Sequence, residues 1–449
     1  MSRWLAVVLL AACAGSTAPR PLDATALYRS GRMQEARASL GATRARDPNE
    51  AARIAVLAAR IAIDLRVVWN QGSFDDALAS LANARPTEPR LVAEVEQAMG
   101  EALFWKKLVG GEGSWDDLRV RFEHALELRK AAGDKRGIAE STFYRGLIAQ
   151  FIETPAVART WFERAVELGE DVDDPLMRSY PVRHLADLAE SDGDLERAGK
   201  LHREALALRE RAGDVLRLFN AQLTLATFSC ERMRDCEAAR PLIEAARQTA
   251  TTLKMPHGMV EVAILEAQLA EWRGDAPARD AGWDRALAAA TTSDDDGSVA
   301  AVRLARGAAR LRTCDGDGAL ADASAVTTPD GRALAAQASL AAGKPDAATA
   351  SIDAAWSGTE PPTARMYLAV AQSIESGHDV PPSAARAKLP REPRAWLDAA
   401  LAAARRDHDT RTEIDVLVAL GDREAAKKRA DEAHFPLQAS IQTCTAKPR

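Results

Sequence analysis

Along most of the chain, apolar and small residues recur at intervals of three and four, the period of an amphipathic helix, and no stretch alternates convincingly in the two-residue period of a strand. Ala158, Phe162 and Ala165 lie at i, i+4 and i+7, one stripe along a helix. The stripe returns at forty-residue steps, as Leu118, Phe122 and Ala125 on one side and as Ala198, His202 and Ala205, then Ala238, Leu242 and Ala245, on the other. After one extra residue, Trp283 and Ala286 continue it. The connecting segments repeat as well: Ala125 to Asp134 reads ALELRKAAGD, and Ala205 to Asp214 reads ALALRERAGD. A small residue twelve positions before the first alanine (Gly146, Ala186, Ala226) marks a second helix in each unit. The unit is therefore a helical hairpin, in which small residues allow close approach and one large apolar side chain fills the space between neighbouring hairpins. Gly193-Asp194 and Gly274-Asp275 mark turns between paired helices.

Composition agrees with this pattern. Alanine dominates, with abundant Leu, Arg and Glu, while aromatic residues make up only 5%; the first group are the strongest helix formers, and strands need β-branched and aromatic residues. The expected fold class is all-α. Acids and bases are interleaved around a net charge of −6, and the densest run, Asp294-Asp295-Asp296, is acidic. That balance describes a solvated helical surface and excludes the basic stripe of a nucleic-acid binder.

A small residue followed by Ala-x3-aromatic-x2-Ala resembles the tetratricopeptide repeat (TPR). Gly31, Ala36, Leu40, Thr43 and Pro48 form the clearest copy, and Gly72, Ala77, Leu81 and Ala84 a second. The forty-residue unit departs from the commonest TPR length of about 34 and overlaps the HEAT and armadillo range. The Ala-aromatic-Ala stripe favours TPR with lengthened helices. The resemblance covers residues 25–292 and implies a right-handed superhelical solenoid of antiparallel helix pairs. Beyond Asp294 the signal decays to echoes at Gly343, Ala347 and Ser351 and at Gly421, Ala426 and Ala430, and the pairs Pro361-Pro362 and Pro381-Pro382 mark loops. Residues 300–449 read as degenerate repeats that extend and cap the array; a separate small helical domain is the alternative.

The N-terminus places Arg3 before an apolar run from Trp4 to Ala12, then Cys13. The run is too short to span a bilayer and has the form of an export signal. Leu10-Ala11-Ala12-Cys13 resembles the lipobox of bacterial lipoproteins, although the segment before the cysteine is short for that class. The resemblance implies that residues 1–12 are a removed signal peptide and that Cys13 carries the lipid. Residues 13–24 then form a small tether, whose Pro-containing stretch Ala14–Pro21 spans at most roughly 30 Å. The implied location is the bacterial cell envelope, lipid-anchored, with Ala14 favouring the outer membrane facing the periplasm. The rival reading is a buried first helix that ends in cysteine.

A search for catalytic chemistry is negative. No phosphate-binding loop, His-Glu-x2-His or Gly-x-Ser-x-Gly occurs, and Gly110-Gly111-Glu112-Gly113 follows no strand. His124, His184 and His202 share no i, i+3 or i+4 spacing, so no metal site, cofactor or catalytic residue is assigned. Of the cysteines other than Cys13, Cys230 and Cys236 bracket a turn, where either a disulfide or two free thiols fit. The resemblance implies a non-enzymatic scaffold that binds a protein or peptide on the concave face, lined by the first helix of each hairpin, with no small-molecule substrate. The candidate stripe there runs through Phe143, Leu147 and Phe151, then Arg183, Asp187 and Ser191, then Leu223, Thr227 and Glu231, and finally Ile264, Gln268 and Trp272. It lacks the Lys and Asn with which one TPR subclass clamps a C-terminal carboxylate. Phe143 and Phe151 fit equally well as core between repeats. The alternative function is a ligand-sensing or regulatory helical-repeat module, which would need an effector domain.

Overall fold

The computed structural model describes residues 23–432, except 234, 294–295, 359–360 and 407–408; Cys13 and the proposed signal segment lie outside the described residues. Among the described residues, all regular structure is helical. The helices come as hairpins: α1 (Ala24–Arg29) with α2 (Met33–Gly41), α3 (Pro48–Trp69) with α4 (Phe74–Ala82), and α5 (Pro89–Gly110) with α6 (Trp115–Ala131). There follow α7 (Lys135–Ile152) with α8 (Pro155–Asp171), α9 (Pro175–Ser191) with α10 (Leu195–Ala212), and α11 (Val215–Glu231) with α12 (Cys236–Thr252). Next come α13 (Pro256–Trp272) with α14 (Ala276–Thr292), α15 (Asp296–Arg312) with α16 (Gly316–Ala323), and α17 (Pro329–Ala341) with α18 (Pro345–Trp356). The last are α19 (Ala364–Glu375) with α20 (Pro393–Arg406), and α21 (Thr410–Ala419) with α22 (Arg423–Glu432). Each second helix also packs on the first helix of the next hairpin, so the array continues past residue 296 without changing its plan. The Pro-Pro pairs fall in the connections on either side of α19.

Gly-Asp punctuation explains how the turns close. Gly193 adopts φ +80°, a conformation that costs glycine nothing, and lets the Asp194 N–H return to the Ala189 carbonyl at 2.9 Å. The Asp194 carboxylate then accepts from the Arg197 N–H at 3.1 Å, capping α10; Asp275 caps α14 in the same way, at 3.0 Å from the Ala278 N–H. Between the helices, Phe122 and Phe162 are fully buried. A Cβ at Gly146 would stand 2.7 Å from the Phe162 ring, so only glycine allows α7 and α8 this approach.

Between Leu118 and Ala290 the forty-residue repeat slips once. In α12 the buried stripe is Ala239, Ile243 and Ala246, one residue later than the forty-residue step to Ala238, Leu242 and Ala245. The added residue sits in the connection from α11 to α12, one unit earlier than the pattern of Trp283 and Ala286 suggested. A loop absorbs an insertion at little cost, whereas inside a helix one residue would rotate the whole stripe by about 100°. Cys230 and Cys236 flank this longer connection and are joined in a disulfide.

The array curls far enough to meet itself. The Trp69 indole N–H at the end of α3 faces the carbonyls of Leu253 and Lys254, at 3.4 and 3.2 Å, just before α13. Leu27, Met33, Ile61 and Leu65 share one core with Leu216, Phe219, Met255 and Val262. The chain's first three helices therefore cover the N-terminal ends of α11 and α13.

Candidate binding cleft

The inner surface, formed by the first helix of each hairpin, divides into a covered part and an open part. In the covered part, α3 presents Arg60 to three carboxylates: Glu94 at 3.5 Å, Glu101 at 3.4 Å and Glu140 at 3.1 Å. Arg129 adds a second contact to Glu140 at 2.7 Å, and Gln97 donates to Glu101 at 3.2 Å. Burial raises both carboxyls, but the outcomes differ. At Glu101 burial prevails over Arg60 and the carboxyl stays above its usual range. At Glu140, Arg60, Arg129 and Arg136 outweigh burial and hold the group at about 2. One turn along α3, Asp64 receives both Nη atoms of Arg217, at 2.8 and 3.0 Å, and Arg217 also donates to the Tyr28 hydroxyl at 3.2 Å. These contacts are satisfied within the chain.

The open part is a cleft of about 430 Å³ along the middle of α11 and α13, with α9 contributing Glu190. Leu223, Thr227 and Ile264 line it, as the stripe read from the sequence requires. Asn220, Thr224 and Phe228 from α11, Glu261, Leu265 and Gln268 from α13, and Glu190 and Arg232 complete it. Of these, only Gln268 belongs to the predicted stripe. The others sit one position or one turn to either side, and a single helical spacing does not reveal the width of a groove. The wall is mixed: apolar side chains at the base, amides and hydroxyls above them, and Glu190, Glu261 and Arg232 at the edge. Glu190 is held between the His202 Nε2, at 2.8 Å, and the Arg232 Nε, at 3.3 Å.

The remaining stripe residues do not share this cleft. Phe143 is 4% exposed and packs against Tyr144, Phe162 and Tyr180, with ring centroids 5.3 to 6.0 Å apart; Leu147 is buried beside it. Their environment is inter-repeat core. Phe151 is 45% exposed and stacks on Trp115 at 4.2 Å, at the rim where α7 ends. Eight residues overshoot two helical turns by roughly 80°, which carries Phe151 off the face that Phe143 occupies. Arg183 and Asp187 are half-buried and pair with each other at 3.3 Å. Glu231 and Trp272 end α11 and α13, and their side chains lie outside the described residues.

The architecture defines the class of this molecule: an all-helical repeat protein whose adjacent helix pairs stack into a curled array. Among solved structures, the chain is similar to a Rap protein complexed with competence and sporulation factor, at 14% identity over 91% of this chain and 97% of that one, with a TM-score of 0.49. It is also similar to the apo form of RapI, at 15% identity over 57% of this chain and 88% of that one, with a TM-score of 0.37. A third likeness is to a signal-transduction ATPase with numerous domains and a tetratricopeptide repeat sensor from Pyrococcus horikoshii, at 13% identity over 59% of this chain and 40% of that one, with a TM-score of 0.39. No family model matches the chain, and no curated protein matches it in sequence.

Proposed function

We propose that this chain is a non-enzymatic scaffold that seats a peptide or helix of a partner protein in the cleft between α9, α11 and α13. The observation that carries the reading is the cleft itself: three consecutive first helices leave about 430 Å³ open between them, with an apolar base and a polar edge. Pockets of this size and mixture suit a few side chains anchored by apolar contact and oriented by hydrogen bonds. The test is a photoreactive residue at position 227, compared with one at the exposed Val120 outside the cleft. The expected result is a partner adduct at 227 alone that disappears when Ile264→Arg is added, while the protein keeps its wild-type helical signal and loses no more than about 3 kcal/mol of stability. An equal adduct at 120, or one indifferent to Ile264→Arg, defeats the proposal.

The scaffold is proposed to work at the bacterial envelope, tethered through Cys13 and probed by its partners from the periplasm. The support is the lipobox-like Leu10-Ala11-Ala12-Cys13 and its apolar run. No helix among the described residues is long and apolar enough to cross a membrane. Cys13→Ser should abolish acylation and move the protein from the membrane fraction to the soluble one. A wild-type protein that is soluble and retains Met1 overturns the tether.

A further inference from the structure

We propose that Asp187, Glu190 and His202 form a site for one first-row divalent metal ion, of the zinc type, at the edge of the cleft. Asp187 and Glu190 stand at i and i+3 on α9, so they point the same way, and His202 meets them from α10. One ligand atom from each lies within 4.8 Å of the others, and His202 Nε2 is already 2.8 Å from Glu190 Oε1. Ligands of a single tetrahedral ion at the usual bond lengths stand roughly 3.4 Å apart, so small side-chain rotations close the set. Imidazole nitrogen with carboxylate oxygen is the donor chemistry of zinc and its neighbours rather than of magnesium or calcium.

Two further observations point to the same ion. His184, three residues before Asp187, has a buried Nδ1 with no hydrogen-bond partner, 3.7 Å from Asp187 Oδ2. This unpartnered buried polar atom stands beside the three converging ligands and faces one of them. The repeat supplies the second observation. The core position that His202 fills holds Phe122, Phe162, Ile243 and Trp283 in neighbouring units, and the position of Asp187 holds Leu147, Thr227 and Gln268. His202 is therefore a ligand-type side chain at a core position that neighbouring units fill with apolar ones, and it faces an acid at a register that elsewhere carries Leu, Thr or Gln. Arg232 on Glu190 Oε2 and Arg183 on Asp187 Oδ2, each at 3.3 Å, then act as the outer partners that orient the carboxylates.

The experiment is titration of the chelator-treated full chain with Zn²⁺ by calorimetry and with Co²⁺ by visible absorption. Saturation at one ion per chain, with the intense visible band of low-coordinate Co²⁺, is expected. Asp187→Asn, at a half-buried position that tolerates the change, should weaken binding at least tenfold, and His202→Gln should do the same wherever it keeps the wild-type helical signal. No saturable binding, or binding unchanged in Asp187→Asn, overturns the site and leaves an ion-pair network with Arg183 and Arg232. The readout uses no partner protein, so it stands or fails independently of the cleft's proposed role.

Discussion

The inner surface beside α5 and α7 and the inner surface along the middle of α11 and α13 come from the same helix of the same repeating unit, yet one is interior and the other is a cleft. Beside α5 and α7, the chain's own α3 lays Arg60 against Glu101 and Glu140. At α11 and α13, α1 to α3 pack against the N-terminal ends, and a cleft edged by Asn220, Thr224 and Thr227 lies beyond them. Position in the repeat therefore does not decide between core and groove. What decides is whether another first helix packs across it, as α3 packs on α5 and sends Arg60 on to α7.

The covered region should break most easily. Arg60→Ala leaves Glu101 and Glu140 buried without their shared cation, and should cost about 3–5 kcal/mol in urea unfolding. A loss near zero would mean that α3 does not sit on α5 and α7 in solution. Acid probes the same network. The Glu140 carboxyl titrates lower when folded, at about 2, than its ordinary 4.5 when unfolded. Its contribution is therefore complete above 4.5 and is lost as pH falls from there towards 2. Stability followed from pH 6 downward should decline through that window, and the Arg60→Ala protein should show a shallower decline from its lower starting point.

A sharper comparison uses two phenylalanines of one helix. Phe143→Ala opens a cavity among Tyr144, Phe162 and Tyr180 and should cost roughly 3–5 kcal/mol. Phe151→Ala removes a stacked but half-exposed ring and should cost only about 1 kcal/mol. Equal costs, measured by the same unfolding curves, would place Phe151 in the core and shift the rim.

Much of the fold was legible because a repeat states its rule several times. The burial of Phe122 and Phe162 follows from a stripe that no strand would produce, and the Gly193-Asp194 turn follows from the one residue type suited to a positive φ and the next suited to a cap. The extra residue was legible but its place was not: Ala238, Leu242 and Ala245 keep the same small-large-small spacing as the buried Ala239, Ile243 and Ala246, and the insertion lies in a loop. In the cleft, Leu223, Thr227 and Ile264 were reached by adding repeat lengths, while Glu190 and Arg232 were missed because they enter from helix ends. His202 was set aside as a ligand on single-helix spacing, a rule that is blind to a histidine facing carboxylates of the preceding helix.

By itself, the sequence determined the local plan: helices from the 3.6-residue stripe, turns from Gly-Asp, and hairpins that must stack because none can bury its apolar face alone. Only the tertiary structure decided where that stacking ends in contact. Asp64 with Arg217 and Trp69 with Leu253 join residues more than 150 positions apart. Such contacts depend on the small rotation between neighbouring hairpins, summed over five of them. No single residue encodes that sum, so the line between buried inner surface and open cleft exists only in the folded array.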